Sequence, residues 1–378
     1  MSKPRALFLL SSASLGWAVS FGLLSALAPV WMKERGQSPS AIGLNTSLYY
    51  LGVAAAAPFV PWLMRRAGRA CVVAGMLGDA LTTALFPFVE GALAWHLLRF
   101  LGGVATACSL IPMETQVNHE APSERRAQDF SVYAFFVALG IGLGGAAGMP
   151  LYEVSPRSAF VLGGAVTLAA VALAWAGMPA TVQKERSLAP AGIAWWRHSL
   201  GFSTAWAQGF LEGAMAAFLL LWLRSRGHGG MLTVLLAGVV VAQLPLGWLA
   251  DRWGRRRMLL ACHALLLAGL LLAPLTPWMV PSGALLFLIG AACGALYPLG
   301  LALLGERLPK DALGEANAWY LAANCAGSLT GPLAIGLGAE ALGLSALFSL
   351  GAVAVVLAAS AALLPGEQPE RTSQRLAA

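Results

Sequence analysis

The stretch Gly247-Trp-Leu-Ala-Asp251-Arg252-Trp-Gly254-Arg255-Arg256-Arg257 lies between two long apolar segments and decides the fold. An acidic residue followed by a cluster of arginines, between two apolar segments, predicts a tight turn that joins two membrane spans. Gly254 supplies the turn, and the arginines hold it at the cytoplasmic face. Gly247 lies one helical turn before Asp251, and we expect it to let a neighbouring helix approach closely.

The composition predicts a membrane protein. The chain is 58% apolar with 11% charged residues, and its mean hydropathy is +0.72. A soluble domain of 378 residues could not cover its surface with so few charges. Several apolar stretches reach the ~20 residues that cross a hydrocarbon core. We predict an all-α polytopic membrane protein with twelve transmembrane helices, at 6–31, 41–63, 70–89, 94–115, 129–151, 157–177, 199–223, 231–250, 257–276, 282–304, 315–338 and 342–364.

The net charge of +7 follows from topology and does not indicate nucleic-acid binding. With the N-terminus inside, 18 of the 24 basic residues fall in cytoplasmic segments, and Arg99 alone lies within a span. The outer loops hold the remaining five, which are Lys33, Arg35, Arg157, Arg224 and Arg226. The positive-inside rule therefore places both termini in the cytoplasm, and we expect the lipid bilayer, not nucleic acid, as a partner.

An internal repeat predicts two six-helix halves. The turn around Arg69 superimposes on the turn around Arg255 at a shift of 186 residues. A shift of 187 places Gly140 and Gly144 on Gly327 and Gly331, and a shift of 191 places the Trp31-x-x-x-Arg35-Gly36 frame on Trp222-x-x-x-Arg226-Gly227. We therefore expect an N-terminal six-helix bundle at 1–177, a cytoplasmic linker at 178–198, a C-terminal six-helix bundle at 199–364 and a cytoplasmic tail at 365–378.

The turn resembles the G-x-x-x-D-R-x-G-R-R signature that joins the second and third helices of each half of the major facilitator superfamily. Within that superfamily the chain is most similar to the YcaD-type branch of bacterial inner-membrane transporters, through Ala28-Pro29-Val30-Trp31, Leu296-Tyr297-Pro298 and Gly327-Ser328-x-x-Gly331-Pro332. The resemblance implies the major facilitator fold, a monomer in the bacterial inner membrane, and a small-molecule substrate moved by alternating access. It implies neither an enzyme nor a cofactor.

The same resemblance implies a cytoplasmic gate motif, made of Gly247, Asp251, Arg252, Gly254, Arg255 and Arg256. In the family, this aspartate and the arginines lock the cytoplasmic side of the outward-open state. Arg65 occupies the position equivalent to Asp251 in the first half. Either the lock is complete only in the second half, or Arg65 is one more charge that sets the topology.

Four charged residues are predicted inside or at the ends of spans: Asp79, Arg99, Glu114 and Glu212. Each such charge costs roughly 2.5–3.5 kcal/mol on insertion scales and needs a partner or an aqueous cavity. Depth counting places Asp79 and Arg99 about 6 Å apart along the membrane normal, as a structural ion pair or as a working pair. Glu114 lies near the inner end of the fourth span, either as a gate acid facing the motif arginines or His119, or as a solvated helix-end acid.

Glu212 is the first candidate for proton coupling. It lies midway along the seventh span, which lines the central cavity in the resembled family, and its repeat equivalent is Phe21. Gly209, Gly213 and Ala214 leave room for water or substrate around it. A carboxylate in such a cavity can bind and release a proton near neutral pH. The alternative is a protonated, hydrogen-bonded structural glutamate.

Uncharged polar residues in or near spans are candidates for the substrate cavity. Aromatic rings with a few amides can hold an organic solute by stacking and directional hydrogen bonds, although each could instead serve helix packing. The candidates are Asn45, Tyr49, Tyr50, Tyr133, Gln208, Tyr297, Tyr320 and Asn324.

These observations favour a proton-coupled secondary transporter of a small organic solute. Two alternatives remain: an importer of a transition metal such as copper or of a metal chelate, and a substrate sensor that does not transport. Cys262, His263 and Met258 are the soft-metal ligands that the first alternative would use.

Overall fold

The computed structural model describes residues 3–120, 126–179, 195–276, 280–308 and 312–364. All regular secondary-structure elements of the described residues are helices. The helices are α1 (Lys3–Glu34), α2 (Pro39–Ala56), α3 (Val60–Ala67), α4 (Arg69–Leu85), α5 (Ala92–Glu120), α6 (Arg126–Val154), α7 (Pro156–Gly177), α8 (Ser199–Ser225), α9 (Leu232–Trp253), α10 (Arg255–Leu272), α11 (Val280–Arg307), α12 (Leu313–Leu342) and α13 (Ala346–Ser360).

The described helices α1–α13 correspond to the twelve predicted spans. The numbers differ by one because α2 and α3 form one continuous segment, Pro39–Ala67. Among the described residues, nine segments are long and apolar enough to cross a membrane, or ten if the bent pair Gly229–Ala242 and Pro245–Trp253 is one span. The segment Glu315–Leu363 contains both α12 and α13, which separate at Gly343 with φ 66°. α10 is not among these segments, and it begins with the arginines 255–257.

Each of the two predicted turns contains a glycine with a positive φ, although ψ differs, at −136° for Gly68 and 131° for Gly254. Gly68 (φ 53°) and Gly254 (φ 89°) take left-handed conformations that disfavour other residues. Each donates its N–H to the carbonyl four residues earlier, Met64 or Ala250. The predicted role of Gly254 in the turn is confirmed.

The structure divides into two compact units. One contains Met1–Glu185 and Ala216–Thr233, and the other contains Arg186–Met215 and Val234–Ala378. The C-terminal part of α8, from Ala216 onward, therefore clusters with the first unit, which the predicted boundary at 199 does not anticipate. Most of the predicted linker and all of the predicted tail lie outside the described residues.

Each unit is built from close helix crossings. In the first unit α1 packs against α6 and α7, α2 against α5, and α4 against α5 and α7. In the second unit α10 packs against α11 and α13, and α12 against α13. Buried apolar residues fill the spaces between these helices.

Glycines at equivalent positions make equivalent crossings in the two units. A Cβ atom on Gly144 would collide with the carbonyl oxygen of Val19, and one on Gly331 would collide with that of Phe210. The repeat shifts relate both members of these pairs, so the repeated glycines are sites of close packing in both units. The expectation for Gly247 is wrong for the part of the chain that the structure describes, because a Cβ atom there would meet none of those residues within 4 Å.

Candidate functional site

Glu212 lies on α8 with its side chain exposed, although Leu211 and Gly213 on either side of it are buried. One turn earlier on the same helix, Gln208 Nε2 donates a hydrogen bond of 2.8 Å to Glu212 Oε2. In the part of the chain that the structure describes, this is the hydrogen bond that the carboxylate receives. The Glu212 side chain is thus exposed on an otherwise apolar helix and held by a hydrogen bond from one side.

Asn324 on α12 extends this polar chain. Its Nδ2 donates to Gln208 Oε1 and to the carbonyl oxygen of Ala205 at 3.1 Å. The contact is possible because Gly209 lets the α12 backbone approach α8, where a Cβ atom would collide with the carbonyl oxygen of Asn324. The crossing therefore brings three predicted residues, Asn324, Gln208 and Glu212, into one hydrogen-bonded row.

Two cysteines complete the surroundings of Glu212. Cys293 on α11 and Cys325 on α12 interact electrostatically with its carboxylate. Helices α8, α11 and α12 therefore converge on this acid within the second unit. Nothing in the spacing of the two cysteines along the sequence predicts that they lie near Glu212.

A second polar cluster surrounds Asp79 on α4, which is buried. Its Oδ1 accepts a 3.3 Å hydrogen bond from Thr106 Oγ1 on α5. The same hydroxyl accepts hydrogen bonds from Tyr49 Oη at 3.0 Å and from Trp17 Nε1 at 3.3 Å. Thr106 thus joins helices α1, α2, α4 and α5, and sequence reasoning missed both Thr106 and Trp17.

Arg99 on α5 lies beside this cluster, with its guanidinium carbon 4.8 Å from the centre of the Tyr49 ring. It interacts electrostatically with Asp79, Tyr49 and Tyr50, but the ion pairs of the described residues do not include Asp79–Arg99. Asp79 and Arg99 therefore interact without a direct ion pair among the described residues, and whether they form a structural or a working pair stays a prediction. Nε and Nη1 of this buried guanidinium have no hydrogen-bond partner among the described residues.

Glu114 is half-buried on α5 and interacts electrostatically with Tyr133 of α6. The Tyr133 hydroxyl accepts a 3.0 Å hydrogen bond from Ser14 of α1. The side chain of His119, one expected partner, lies outside the described residues. The ion pairs that the structure describes do not join Glu114 to a motif arginine.

The gate motif centres on Arg255. Its Nη2 lies 3.3 Å from Asp251 Oδ1, its Nε lies 3.1 Å from Glu306 Oε1, and its Nη1 donates to the carbonyl oxygen of Ala302 at 2.9 Å. Of the other motif arginines, Arg256 donates to the carbonyl oxygen of Ala362. The motif therefore ties the α9–α10 turn to α11 and to the end of α13.

The described residues of the first half do not show this arrangement. Arg69, the equivalent of Arg255, stacks over the ring of Trp175 on α7 at 3.8 Å. Arg65, the equivalent of Asp251, is exposed. Both turns contain a glycine with a positive φ, but the side-chain partners that the structure describes differ.

The remaining candidates for the substrate cavity are either almost fully buried or half-buried. Asn45 and Tyr320 are almost fully buried, and the Tyr320 hydroxyl donates to the carbonyl oxygen of Tyr297 at 2.7 Å. Tyr50 and Tyr297 are half-buried. In this conformation Asn45 and Tyr320, like Tyr49 and Tyr133, belong to the packed interior, so their contact with a substrate stays a prediction.

The metal alternative gains no support from the described residues. They contain no group of three or more His, Cys, Asp or Glu side chains that could hold a metal ion. The buried His263 ring is engaged at both nitrogens, with the carbonyl oxygen of Leu259 at 2.9 Å and Thr204 Oγ1 at 3.5 Å. It ties α10 to α8.

Comparison with known proteins decides the family. The model of the Major Facilitator Superfamily matches residues 7–229 and 201–378. The chain belongs to the major facilitator superfamily. It is therefore an integral membrane protein of a transporter family and not an enzyme.

Curated relatives place this transporter in the YcaD-like group. It is 29% identical over 341 residues to the uncharacterized MFS-type transporter YfkF of Bacillus subtilis, covering 84% of each chain. It is 24% identical over 340 residues to the uncharacterized MFS-type transporter YcaD of Salmonella typhi, covering 87% of each chain.

Solved structures share the fold. A bacterial homolog to the human lysosomal transporter Spinster superimposes with a TM-score of 0.78 at 16% identity, covering 96% of this chain and 97% of that chain. The nucleoside transporter NupG superimposes with a TM-score of 0.76 at 13% identity, covering 95% and 98%. At these identities the likeness concerns the fold alone.

Proposed function

We propose that this secondary transporter moves a small organic solute by alternating access, coupled to protons through Glu212. It works as a monomer in the bacterial inner membrane, with both termini in the cytoplasm. The observation that carries the proposal is the exposed Glu212 carboxylate on an otherwise apolar transmembrane helix.

A carboxylate within a span is costly and persists where it has a function. The fold does not require one here, because Phe21 occupies the equivalent position of the first half. A structural acid would be expected to satisfy both oxygens within the protein, whereas the described residues supply a donor only to Oε2. The other oxygen is available for a proton, for water or for a donor group of the solute.

The hydrogen-bonded row keeps this carboxylate in place in both protonation states. Gln208 can donate to Oε2 whether or not Oε1 carries a proton, and Asn324 fixes the orientation of the Gln208 amide. Proton binding therefore changes the charge of the site without rearranging it. A transporter needs this property if proton and solute are to affect each other's affinity.

The cluster of Asp79, Thr106 and Arg99 supports the coupling from the first unit. Its buried guanidinium is stabilised by the Tyr49 ring and by long-range attraction to Asp79 rather than by a direct ion pair. A change in the charge of Asp79 would therefore be felt by Arg99 through the intervening polar groups. We assign this cluster an auxiliary role.

Ligand-induced thermal stabilisation of the purified protein tests the proposal. A panel of organic solutes is screened at acidic and at alkaline pH, with wild type, Glu212→Gln and the control Glu34→Gln. We expect a solute whose stabilising effect depends on pH in wild type and in the control, but not in Glu212→Gln. The pH dependence surviving in Glu212→Gln would show that this acid is structural.

Transport itself is measured with the same solute in proteoliposomes. Solute uptake driven by an imposed pH gradient, and lost in Glu212→Gln, is the expected result. Binding without uptake in either direction would favour the sensor alternative.

A further inference from the structure

Six tryptophans have an arginine four residues later in the sequence, and in four of these pairs the guanidinium stacks on the indole ring. The distances from the guanidinium carbon to the ring centre are 3.1, 4.4, 4.4 and 3.7 Å for Trp31–Arg35, Trp62–Arg66, Trp222–Arg226 and Trp248–Arg252. The i, i+4 spacing on a helix brings these side chains together, and the ring attracts the cation. The repeat relates the first pair to the third and the second to the fourth.

Exposure separates these pairs into two kinds. Trp31 and Trp222 are each 3% exposed, so their rings lie inside the helix bundle. Trp62 and Trp248 are 44% and 57% exposed. The arginines stacked on them, Arg66 and Arg252, are exposed as well. Packing within the protein accounts for only part of the second kind, because about half of each residue's surface is exposed.

The exposed pairs lie at the ends of membrane spans, one helical turn or two before Gly68 and Gly254. An indole ring at this level prefers the boundary between acyl chains and headgroups. The ring also holds its arginine at the depth of the lipid phosphates, where a planar guanidinium can donate two parallel hydrogen bonds to a phosphate group.

We propose that Trp62–Arg66 and Trp248–Arg252 are two repeat-related binding sites for the headgroup phosphate of an anionic phospholipid. We call them the first and the second headgroup site. The indole contacts the glycerol and upper acyl region, and the guanidinium binds the phosphate. This inference does not rest on the proton-coupling role of Glu212.

Local charge favours an anionic lipid, and favours the first headgroup site over the second. Arg65 lies next to Arg66 and is exposed, while the equivalent residue beside Arg252 is Asp251. Arg69 adds another guanidinium, stacked on Trp175, whose ring is 45% exposed. The positive charge of Arg252 is partly offset by Asp251, which already pairs with Arg255.

Native mass spectrometry of the full-length protein tests the proposal by counting bound phosphatidylglycerol and phosphatidylcholine at matched concentrations. The test variant is Arg66→Gln/Arg252→Gln, and the matched control is Arg35→Gln/Arg226→Gln, which removes the same charge from the pairs with buried rings. We expect phosphatidylglycerol affinity to fall about fivefold for each arginine lost in the test variant, and to stay unchanged in the control. Arg66→Gln alone should have the larger effect of the two single variants.

Further variants separate the alternatives. Trp62→Leu/Trp248→Leu should also weaken phosphatidylglycerol binding while retaining the charge, and it replaces the arginine variant if that protein fails to fold. Equal losses in test and control variants, or equal binding of phosphatidylcholine, would overturn the proposal. Displacement of the lipid by inorganic phosphate at similar concentration would show a free-anion site instead.

Discussion

Arg255 Nε lies 3.1 Å from Glu306 Oε1, and this pair joins the first turn of α10 to the last turn of α11. The same guanidinium contacts Asp251, so one arginine connects two acids across the turn. Its repeat equivalent, Arg69, stacks on Trp175 instead. The two halves share a backbone turn, but the described residues show the arginine–carboxylate network only at the second.

Replacing Glu306 should weaken this network by a modest, salt-dependent amount. Both partners are partly exposed, with side-chain exposures of 29% and 43%, so screening limits the contribution to about 0.2–1 kcal/mol. We expect Glu306→Gln to lower the melting temperature slightly at low salt and less at high salt. The exposed Glu153→Gln is the control, and an equal shift in both variants would contradict the assignment.

Thr106 should be more important for stability than its size suggests. Thr106→Val keeps the shape but removes the hydroxyl that hydrogen-bonds Asp79, Tyr49 and Trp17, so three buried hydrogen bonds are lost together. We expect a loss of about 1–3 kcal/mol, measured as a lower melting temperature. Thr167→Val is the matched control, because its buried Oγ1 has no partner among the described residues and its replacement should be neutral or stabilising.

Gln208 should affect solute binding only through Glu212. Gln208→Leu removes the donor to Glu212 and leaves Asn324 without its side-chain acceptor, so we expect solute affinity to fall about tenfold. Calorimetric titration measures the affinity of Gln208→Leu, Glu212→Gln and the double variant. The effects should not be additive, because the residues act as one unit. Additive losses would show that Gln208 acts independently.

Two glycines should respond to alanine with opposite signs. In Gly331→Ala the new methyl group meets the Phe210 backbone, so we expect a loss of about 1–3 kcal/mol or more, or failure to fold. In Gly247→Ala it meets nothing within 4 Å, so we expect a gain of about 0.4–1 kcal/mol from lower backbone freedom in the unfolded chain. Melting temperatures measure both.

Gly247→Ala also tests the gate motif. A more stable protein with normal transport would show that the motif position carries no functional constraint in this chain. A more stable protein with slower transport would show that Gly247 needs its small size in another conformation of the cycle.

The candidate site was only partly predictable. Asp79, Arg99, Gln208, Glu212 and Asn324 stand out in the sequence because charged and amide groups are rare in apolar spans. The residues that organise them do not stand out, since threonine and tryptophan are ordinary in such helices. Thr106 and Trp17 become important only when α1 and α5 cross.

The sequence by itself determined the twelve spans, the turns at Gly68 and Gly254 and the twofold repeat, because hydropathy, turn chemistry and charge act locally along the chain. Only the tertiary structure decided that Asp79 meets Thr106 rather than Arg99, that Asn324 reaches Gln208, and that Gly247 has no close neighbour. These contacts depend on the rotation and depth of each helix against its neighbours, to within about one residue's rise of 1.5 Å. That relation is set by the packing of many side chains together and leaves no local mark in the sequence.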